Sequence, residues 1–81
     1  MAIEFAPFNI QVNTIAPGWI DTDMTAPVKT MALYQETIAR TPAARWGSPD
    51  EVAGTAVNLA SRASDFVTGA TIFVDGGYAI R

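Results

Sequence analysis

The sequence predicts an α/β fold in which two parallel strands are joined by a long helical crossover. Segments rich in β-branched residues occur at 10–16 and 71–75, near opposite ends of the chain. Between them, 26–39 and 49–61 carry apolar residues at helical spacing. The expected order is strand, loop, helix, helix, strand, and a crossover of this length joins parallel strands in a right-handed sense.

The first predicted strand, 10–16, stops at Pro17-Gly18, a pair that a strand tolerates only at its end. The loop that follows, 17–25, has no apolar periodicity, and such loops commonly carry functional residues. In open parallel sheets, ligands bind at the carboxyl ends of the strands, where glycine lets the backbone approach a flat ring closely. The loop is therefore the candidate ligand site.

Two helices are expected in the crossover, and the end of another at the beginning of the chain. The first crossover helix spans 26–39. The second, 49–61, follows Ser48 as the capping residue, with Glu51 placed to complete a capping box. Residues 2–8 are interpreted as the last turn of a helix that is ended by a proline.

The last predicted strand, 71–75, is closed by Gly76-Gly77, which we expect to end an edge strand and to position the tail. Two strands do not form a stable sheet by themselves, and parallel strands need cover on both faces. The predicted fold is therefore incomplete as a stand-alone unit. The whole chain, 1–81, is interpreted as a single segment.

Composition restricts the kinds of site and partner. The 81 residues are 49% hydrophobic and 16% charged, an apolar excess that indicates surface used for contact. Cysteine and histidine are absent, which excludes disulfides and Cys/His zinc sites, so no metal is expected. Scattered cations and a net charge of −3 argue against nucleic acid. No long apolar run or leader predicts a membrane partner, and a cytoplasmic protein is expected.

Three polar side chains near the loop have simple structural interpretations. Asp21 and Asp23 lie two residues apart on a segment without regular spacing, so a solvated surface is favoured over a paired-carboxylate site. Asn13 is expected to hydrogen-bond to neighbouring backbone.

Three blocks of the sequence, 10–24, 45–53 and 67–77, together resemble the short-chain dehydrogenase/reductase (SDR) family. The first block is similar to the sixth strand and following loop of that family, the second to the start of its last large helix, and the third to its seventh strand. Within the family, the residues of these blocks are most similar to those of gluconate dehydrogenases and acyl-carrier-protein ketoreductases. The blocks occur in the family's order and cover nearly the whole chain.

The resemblance implies a Rossmann-type, doubly wound parallel sheet of which this chain is the C-terminal third. It also implies NAD or NADP as cofactor, and hydride transfer to or from a carbonyl or an alcohol. The cofactor-facing positions that match the family are Pro17, Gly18, Ile20 and Thr22. In the family, the residue matching Ile20 offers its backbone to the nicotinamide carboxamide. The residue matching Thr22 offers its hydroxyl to that group or to the nearby phosphate.

The resemblance further implies a lid and an interface. Trp19, Met24 and the helix at 26–39 match the segment that covers the substrate, and closure of such a lid excludes water. The helix at 49–61 and the strand at 71–75 match a two-fold dimer contact. A homo-oligomer is therefore expected.

The parts of the family that carry out catalysis have no match in these residues. No glycine-rich phosphate loop follows a strand. The family's catalytic tyrosine is followed by a lysine four residues later, whereas Tyr34 is followed by Ile38 and Tyr78 lies near the end of the chain. No catalytic residue is assigned, and the chain is expected to be inactive alone.

Three functions fit these observations. The chain is a segment of an oxidoreductase that acts with the upstream two-thirds, a non-enzymatic module that pairs with full-length subunits, or a nucleotide-binding protein that uses only the loop at 17–22. Three origins also fit: a fragment, an internal start and a short gene product.

Overall fold

The structure, a computed structural model, describes residues 1–80. Helix α1 spans Ala2–Phe5, strand β1 Thr14–Pro17, helix α2 Ala32–Arg40, helix α3 Pro49–Ala60 and strand β2 Thr71–Val74. Short 3₁₀ turns occupy Ala6–Phe8, Ala26–Thr30, Arg62–Ser64 and Tyr78–Ile80. None of the helices in this described part has the length and apolar content needed to cross a bilayer.

The predicted α/β class is confirmed, because β1 and β2 pair in parallel across a crossover that contains α2 and α3. The register runs from Thr14 opposite Thr71 to Pro17 opposite Val74. Pro17 is tolerated within this pair because the amides of Thr14 and Gly18 donate to the carbonyls of Ala70 and Val74, and alternation turns the nitrogen of residue 17 to the other side.

The first strand is shorter than predicted at its start and longer by one residue at its end. Residues 10–13 lie outside the sheet because the chain before β2 turns at Gly69, which has a φ of +74°. Val12 follows this turn instead: its amide donates to Thr68 Oγ1 at 3.1 Å, and its carbonyl accepts from the Gly69 amide at 2.8 Å. β2 also ends one residue early, at Val74 rather than Asp75.

The prediction of one helix over 26–39 is wrong, because the segment divides at Met31. This residue is extended, with φ −108° and ψ 157°, and separates the 3₁₀ turn Ala26–Thr30 from α2. Thr30 Oγ1 donates to the Pro27 carbonyl at 2.8 Å, an example of a side chain that competes with the helical hydrogen-bond pattern.

Helix α3 begins as predicted and ends one residue before the predicted limit. At its start, the Ser48 amide donates to Glu51 Oε1 at 2.9 Å, the glutamate half of the capping box. At its end, Ser61 is extended, and its hydroxyl oxygen accepts from the Ala63 amide at 3.3 Å. The serine therefore starts the next turn and stops the helix.

Little apolar surface is enclosed. Trp46 is the one large apolar side chain that is buried among residues 1–80, whereas Val57, Phe66 and Phe73 are exposed. The radius of gyration is 15.4 Å, and a compact domain of this length has about 12 Å. The described residues thus present apolar faces that they do not themselves cover.

Substitution of Gly18 by alanine is expected to destabilise the chain by roughly 1–3 kcal/mol, because the new Cβ overpacks the contact with β2. That atom would lie 2.6 Å from Asp75 Cβ and 2.8 Å from Asp75 Cα. Urea unfolding followed by circular dichroism measures the change. Gly54→Ala is the matched control, since a Cβ in that helical position meets no atom within 4 Å. It should stabilise by about 0.5–1 kcal/mol, and equal effects of the two substitutions would contradict the packing explanation.

Candidate functional site

An open cleft of about 500 Å³ lies at the carboxyl end of β1. Its lining residues are Pro17, Gly18, Trp19, Ile20, Thr22, Thr25 and Tyr78. The structure therefore brings together five of the six residues that the sequence singled out. The sixth, Met24, does not line the cleft and has 91% of its surface exposed.

Gly18 has a structural reason to be glycine that the sequence did not reveal. Its amide donates to the Val74 carbonyl at 3.0 Å, and its Cα lies where a side chain would collide with Asp75. The close approach is between the ends of the two strands. This contact alone requires glycine, whatever the cleft binds.

Ile20 is held by a second parallel bridge, to Gly47. The Gly47 amide donates to the Trp19 carbonyl at 2.9 Å, and the Asp21 amide donates to the Gly47 carbonyl at 2.9 Å. Because bonding alternates along an extended chain, this pattern directs the N–H and the carbonyl of Ile20 away from Gly47. The bridge thereby fixes the orientation of the Ile20 peptide groups.

Thr22 and Thr25 bond to each other through backbone and side chain. Thr25 Oγ1 accepts from the Thr22 amide at 2.9 Å and donates to the Ile20 carbonyl at 2.6 Å. Thr22 Oγ1 accepts from the Thr25 amide at 3.3 Å. The loop is therefore closed by its own hydroxyls, and Thr25 is a cleft residue that sequence reasoning missed.

Tyr78 reaches the cleft because Asp75 folds the tail back. The Asp75 carboxylate accepts from the amides of Gly77 and Ala79, each at 3.0 Å. Gly76 and Gly77 have φ of +62° and +93°, and a Cβ on Gly77 would lie 3.0 Å from Pro42. These bonds are what position the tail. In the sequence, Gly76-Gly77 indicated a turn after the last strand, but no pattern indicated that the tail would reach the cleft.

An aromatic cluster supports the outer wall of the cleft. Trp19 stacks on Trp46 with ring centroids 5.3 Å apart, and Tyr34 meets Trp46 edge-on at 4.9 Å. Trp46 Nε1 donates to the buried Thr37 Oγ1 at 2.9 Å, so the indole is buried with its polar group satisfied. Trp19 is thereby fixed against α2.

Asn13 and Asp21, two of the polar residues beside the loop, bond to other parts of the chain. Asn13 Nδ2 donates to the Val67 carbonyl at 2.9 Å and its Oδ1 accepts from the Ala70 amide at 3.0 Å. The predicted bonding to backbone is confirmed, but the partners belong to the segment before β2 and are not neighbours of Asn13 in the sequence. Asp21 pairs with Lys29 at 2.6 Å, and this hydrogen bond raises the pKa of the Lys29 ammonium. Residues 1–80 contain no group of three or more acidic side chains able to hold a metal ion.

Arg45 and Glu51 form a two-pronged ion pair at the start of α3, with N···O distances of 2.7 and 3.0 Å. The pKa of Glu51 falls to about 2, chiefly through the Arg45 hydrogen bond and then through that from the Ser48 amide. The pair therefore joins the segment before the Gly47 bridge to the helix after it.

A family model described as enoyl-(acyl carrier protein) reductase matches residues 1–79. The chain belongs to the short-chain dehydrogenase/reductase family, as the three sequence blocks predicted. The two strands of this chain correspond to part of a Rossmann-type sheet in the solved structures that it matches.

Two relatives illustrate the likeness in sequence. The chain is 54% identical over 81 residues to 5-keto-D-gluconate 5-reductase of Escherichia coli K12, covering 99% of this chain and 32% of that protein. It is 51% identical over 79 residues to 2-dehydro-3-deoxy-D-gluconate 5-dehydrogenase of Formosa agariphila, covering 95% of this chain and 30% of that protein. The chain spans about a third of the length of these relatives.

Two solved structures agree with the sequence likeness. A putative 2-deoxy-D-gluconate 3-dehydrogenase from Agrobacterium tumefaciens with bound NADP superposes with a TM-score of 0.93 at 44% identity, covering 99% of this chain and 33% of that chain. A gluconate 5-dehydrogenase from Burkholderia cenocepacia in complex with NADP and tartrate gives a TM-score of 0.89 at 44% identity, with 100% and 32% covered.

Acid is expected to weaken the junction between Arg45 and α3. Glu51 has its pKa lowered from 4.5 to about 2 in the folded chain, so its stabilising contribution is complete above 4.5 and is lost as the pH falls toward 2. Urea midpoints between pH 6 and pH 2.5 should therefore fall more steeply for the parent than for Glu51→Gln.

The control for this measurement is Glu36→Gln. Glu36 is exposed and pairs with Arg40 one helical turn away at 3.0 Å. Removal of such a pair changes stability little, so this variant should follow the pH profile of the parent. A Glu51→Gln profile as steep as that of the parent would contradict the assignment.

Proposed function

We propose that the chain is the C-terminal part of an NAD(P)-dependent oxidoreductase that transfers hydride to or from a carbonyl or an alcohol. One observation carries the proposal: the residues matching the family's cofactor-facing positions, Pro17, Gly18, Ile20 and Thr22, line one cleft at the carboxyl end of a parallel strand. That is the end at which open α/β sheets bind dinucleotides. The chain would supply the nicotinamide side of the site.

The chemistry of the cleft fits the nicotinamide end of the cofactor. Pro17 and Ile20 present apolar surface for a flat ring, the bridged backbone orients the Ile20 N–H, and Thr22 offers a hydroxyl. Amide and hydroxyl donors suit a carboxamide or a phosphate oxygen. When bound, the dinucleotide supplies the hydride that is exchanged, and these residues hold and orient its ring.

Trp19 and Met24 are proposed as parts of the substrate lid. Trp19 is anchored by stacking on Trp46, so it forms a fixed wall of the cleft. Met24 belongs to the same loop, and its side chain is exposed to solvent. The 3₁₀ turn Ala26–Thr30 and α2 follow it, joined through the extended Met31, and such a junction between two rigid pieces suits closure over a substrate.

The substrate class that we propose is a sugar acid. The two relatives described above carry the names of gluconate and ketogluconate enzymes, and one solved neighbour holds tartrate, a hydroxylated dicarboxylate. The cofactor proposed is NAD or NADP, since solved neighbours hold either NADP or NADH.

Turnover by these residues alone is not expected, because the Tyr-x-x-x-Lys pattern of the family is absent from them. We propose that the chain acts together with the remaining two-thirds of the fold and associates with a second copy. Helix α3 and strand β2 carry exposed apolar side chains for that contact, among them Val57 and Phe73. A cytoplasmic location stays a prediction.

The alternative is an interaction module without enzymatic function. The same exposed apolar faces favour it, because they fit a full-length subunit as well as the missing part of the fold. The two functions differ in one respect. Only the first requires the cleft to contribute to the binding of a dinucleotide.

A whole chimeric enzyme tests the proposal. The aligned third of the E. coli 5-keto-D-gluconate 5-reductase is replaced by this chain, and reduction of 5-keto-D-gluconate is measured with NADH and with NADPH. The chimera is expected to retain turnover, and Thr22→Val in it should raise the cofactor KM by about 2- to 10-fold, the value of one hydrogen bond.

The 81-residue chain by itself serves as the control and should give no turnover above a buffer blank. A folded chimera without dinucleotide turnover would contradict the oxidoreductase proposal and favour the interaction module. Turnover by the isolated chain would show that the assignment of catalysis to the rest of the fold is wrong.

A further inference from the structure

The hydroxyl of Thr25 lies between the two residues that the proposed function assigns to cofactor binding. Thr25 Oγ1 donates to the Ile20 carbonyl at 2.6 Å and accepts from the Thr22 amide at 2.9 Å. It also lies 3.3 Å from Thr22 Oγ1 and 3.2 Å from the Thr22 carbonyl. One side-chain oxygen thus bonds to both Ile20 and Thr22.

The proton of this hydroxyl has one strong acceptor. A hydroxyl carries a single proton and two lone pairs, and the 2.6 Å contact with Ile20 is much shorter than the 3.2 Å contact with the Thr22 carbonyl. The proton therefore lies toward Ile20. Thr25 Oγ1 can then only accept in its 3.3 Å contact with Thr22 Oγ1, so the Thr22 hydroxyl is the donor there.

This arrangement holds the Thr22 proton only in a weak bond, which an acceptor on a ligand can replace. Thr22 Oγ1 also accepts from the Thr25 amide at 3.3 Å, and this bond occupies one lone pair of the hydroxyl oxygen. The bond that its proton makes to Thr25 is long and therefore weak, and an acceptor oxygen placed in the cleft would replace it at small cost. The Thr22 hydroxyl is thus held as a donor before any ligand binds.

We propose that Thr25 is a positioning residue, which fixes the Ile20 carbonyl and presents the Thr22 hydroxyl as a hydrogen-bond donor to the cofactor. The inference rests on the proposed function, because it concerns the same loop. The turn itself does not need this side chain: the amides of Thr25 and Ala26 donate to the Thr22 carbonyl at 3.1 and 2.9 Å. Loss of the hydroxyl should therefore loosen the loop without unfolding it.

The test uses the chimeric enzyme and its dinucleotide KM. Thr25→Val, which keeps the shape and removes the hydroxyl, should raise this KM by about 2- to 10-fold, with a smaller change in kcat, because two bonds that preorganise the binding loop are lost. Thr25→Ser should restore most of the affinity. In the Thr22→Val background, Thr25→Val should add much less, since Thr25 acts largely through Thr22.

Thr68→Val is the matched control. The Thr68 hydroxyl oxygen also accepts from a backbone amide, that of Val12 at 3.1 Å, but it lies at the opposite, amino end of the strands. Its loss should lower the urea midpoint and leave the cofactor KM unchanged. If Thr68→Val raised the cofactor KM as much as Thr25→Val does, general destabilisation would explain both effects and the inference would be overturned.

Other outcomes separate the two proposals. An unchanged KM in Thr25→Val, or an equal rise in the parent and Thr22→Val backgrounds, overturns the role of Thr25 while the oxidoreductase proposal stands. A folded chimera without turnover overturns the proposed function and this inference together.

A second measurement, on the 81-residue chain, covers the case in which a chimeric variant fails to fold. Amide exchange at Thr22 should be at least several-fold faster in Thr25→Val than in Thr25→Ser, because valine lacks the side-chain oxygen that accepts from the Thr22 amide. Equal exchange rates in the two variants would overturn the inference.

Discussion

The contact between Gly18 and Asp75 is the constraint on which the rest of the site depends. It sets the separation of the two strands at their carboxyl ends, where the Gly18 amide bonds to Val74 and no side chain fits between the backbones. From this point β1 leads directly into the loop that lines the cleft. From the same point Asp75 folds the tail back, which brings Tyr78 to the other side of that cleft. Both walls of the cleft therefore begin at the close approach of Gly18 and Asp75.

A second constraint is the burial of Trp46. Its indole is stacked by Trp19, met edge-on by Tyr34 and bonded to Thr37, so it connects the cleft loop to α2. The Gly47 bridge and the Arg45–Glu51 pair, immediately beside it in sequence, connect the same loop to α3. The described residues contain no other large buried apolar side chain, and their stability depends heavily on this cluster.

The geometry separates two tasks within one short loop. The bridge to Gly47 and the hydroxyl of Thr25 fix the backbone from opposite sides, and Thr22 and Ile20 are left to meet a ligand. Preorganisation of this kind lowers the entropic cost of binding, because the donors need not be ordered when the ligand arrives. The exposed faces of α3 and β2 have a different character. They are apolar, and they lie on a chain that spans about a third of the length of its relatives.

Sequence patterns were enough to predict the α/β class, the parallel pair, the start of α3 and the family. These features follow from local signals: β-branched runs, the Ser48 and Glu51 pattern, and three blocks of residues in order. The break at Met31, the short β1, and the positions of Thr25 and Tyr78 in the cleft were not predictable from such patterns. Thr25 is brought there by its bond to Ile20, five residues away, and Tyr78 by a turn that packs against Pro42. Periodicity and composition do not carry such contacts, because they depend on where folded backbone segments meet. Gly18 shows the difference most clearly. Its position before a loop suggested a ligand site, whereas the structure shows that a side chain there would collide with Asp75, 57 residues further along the chain.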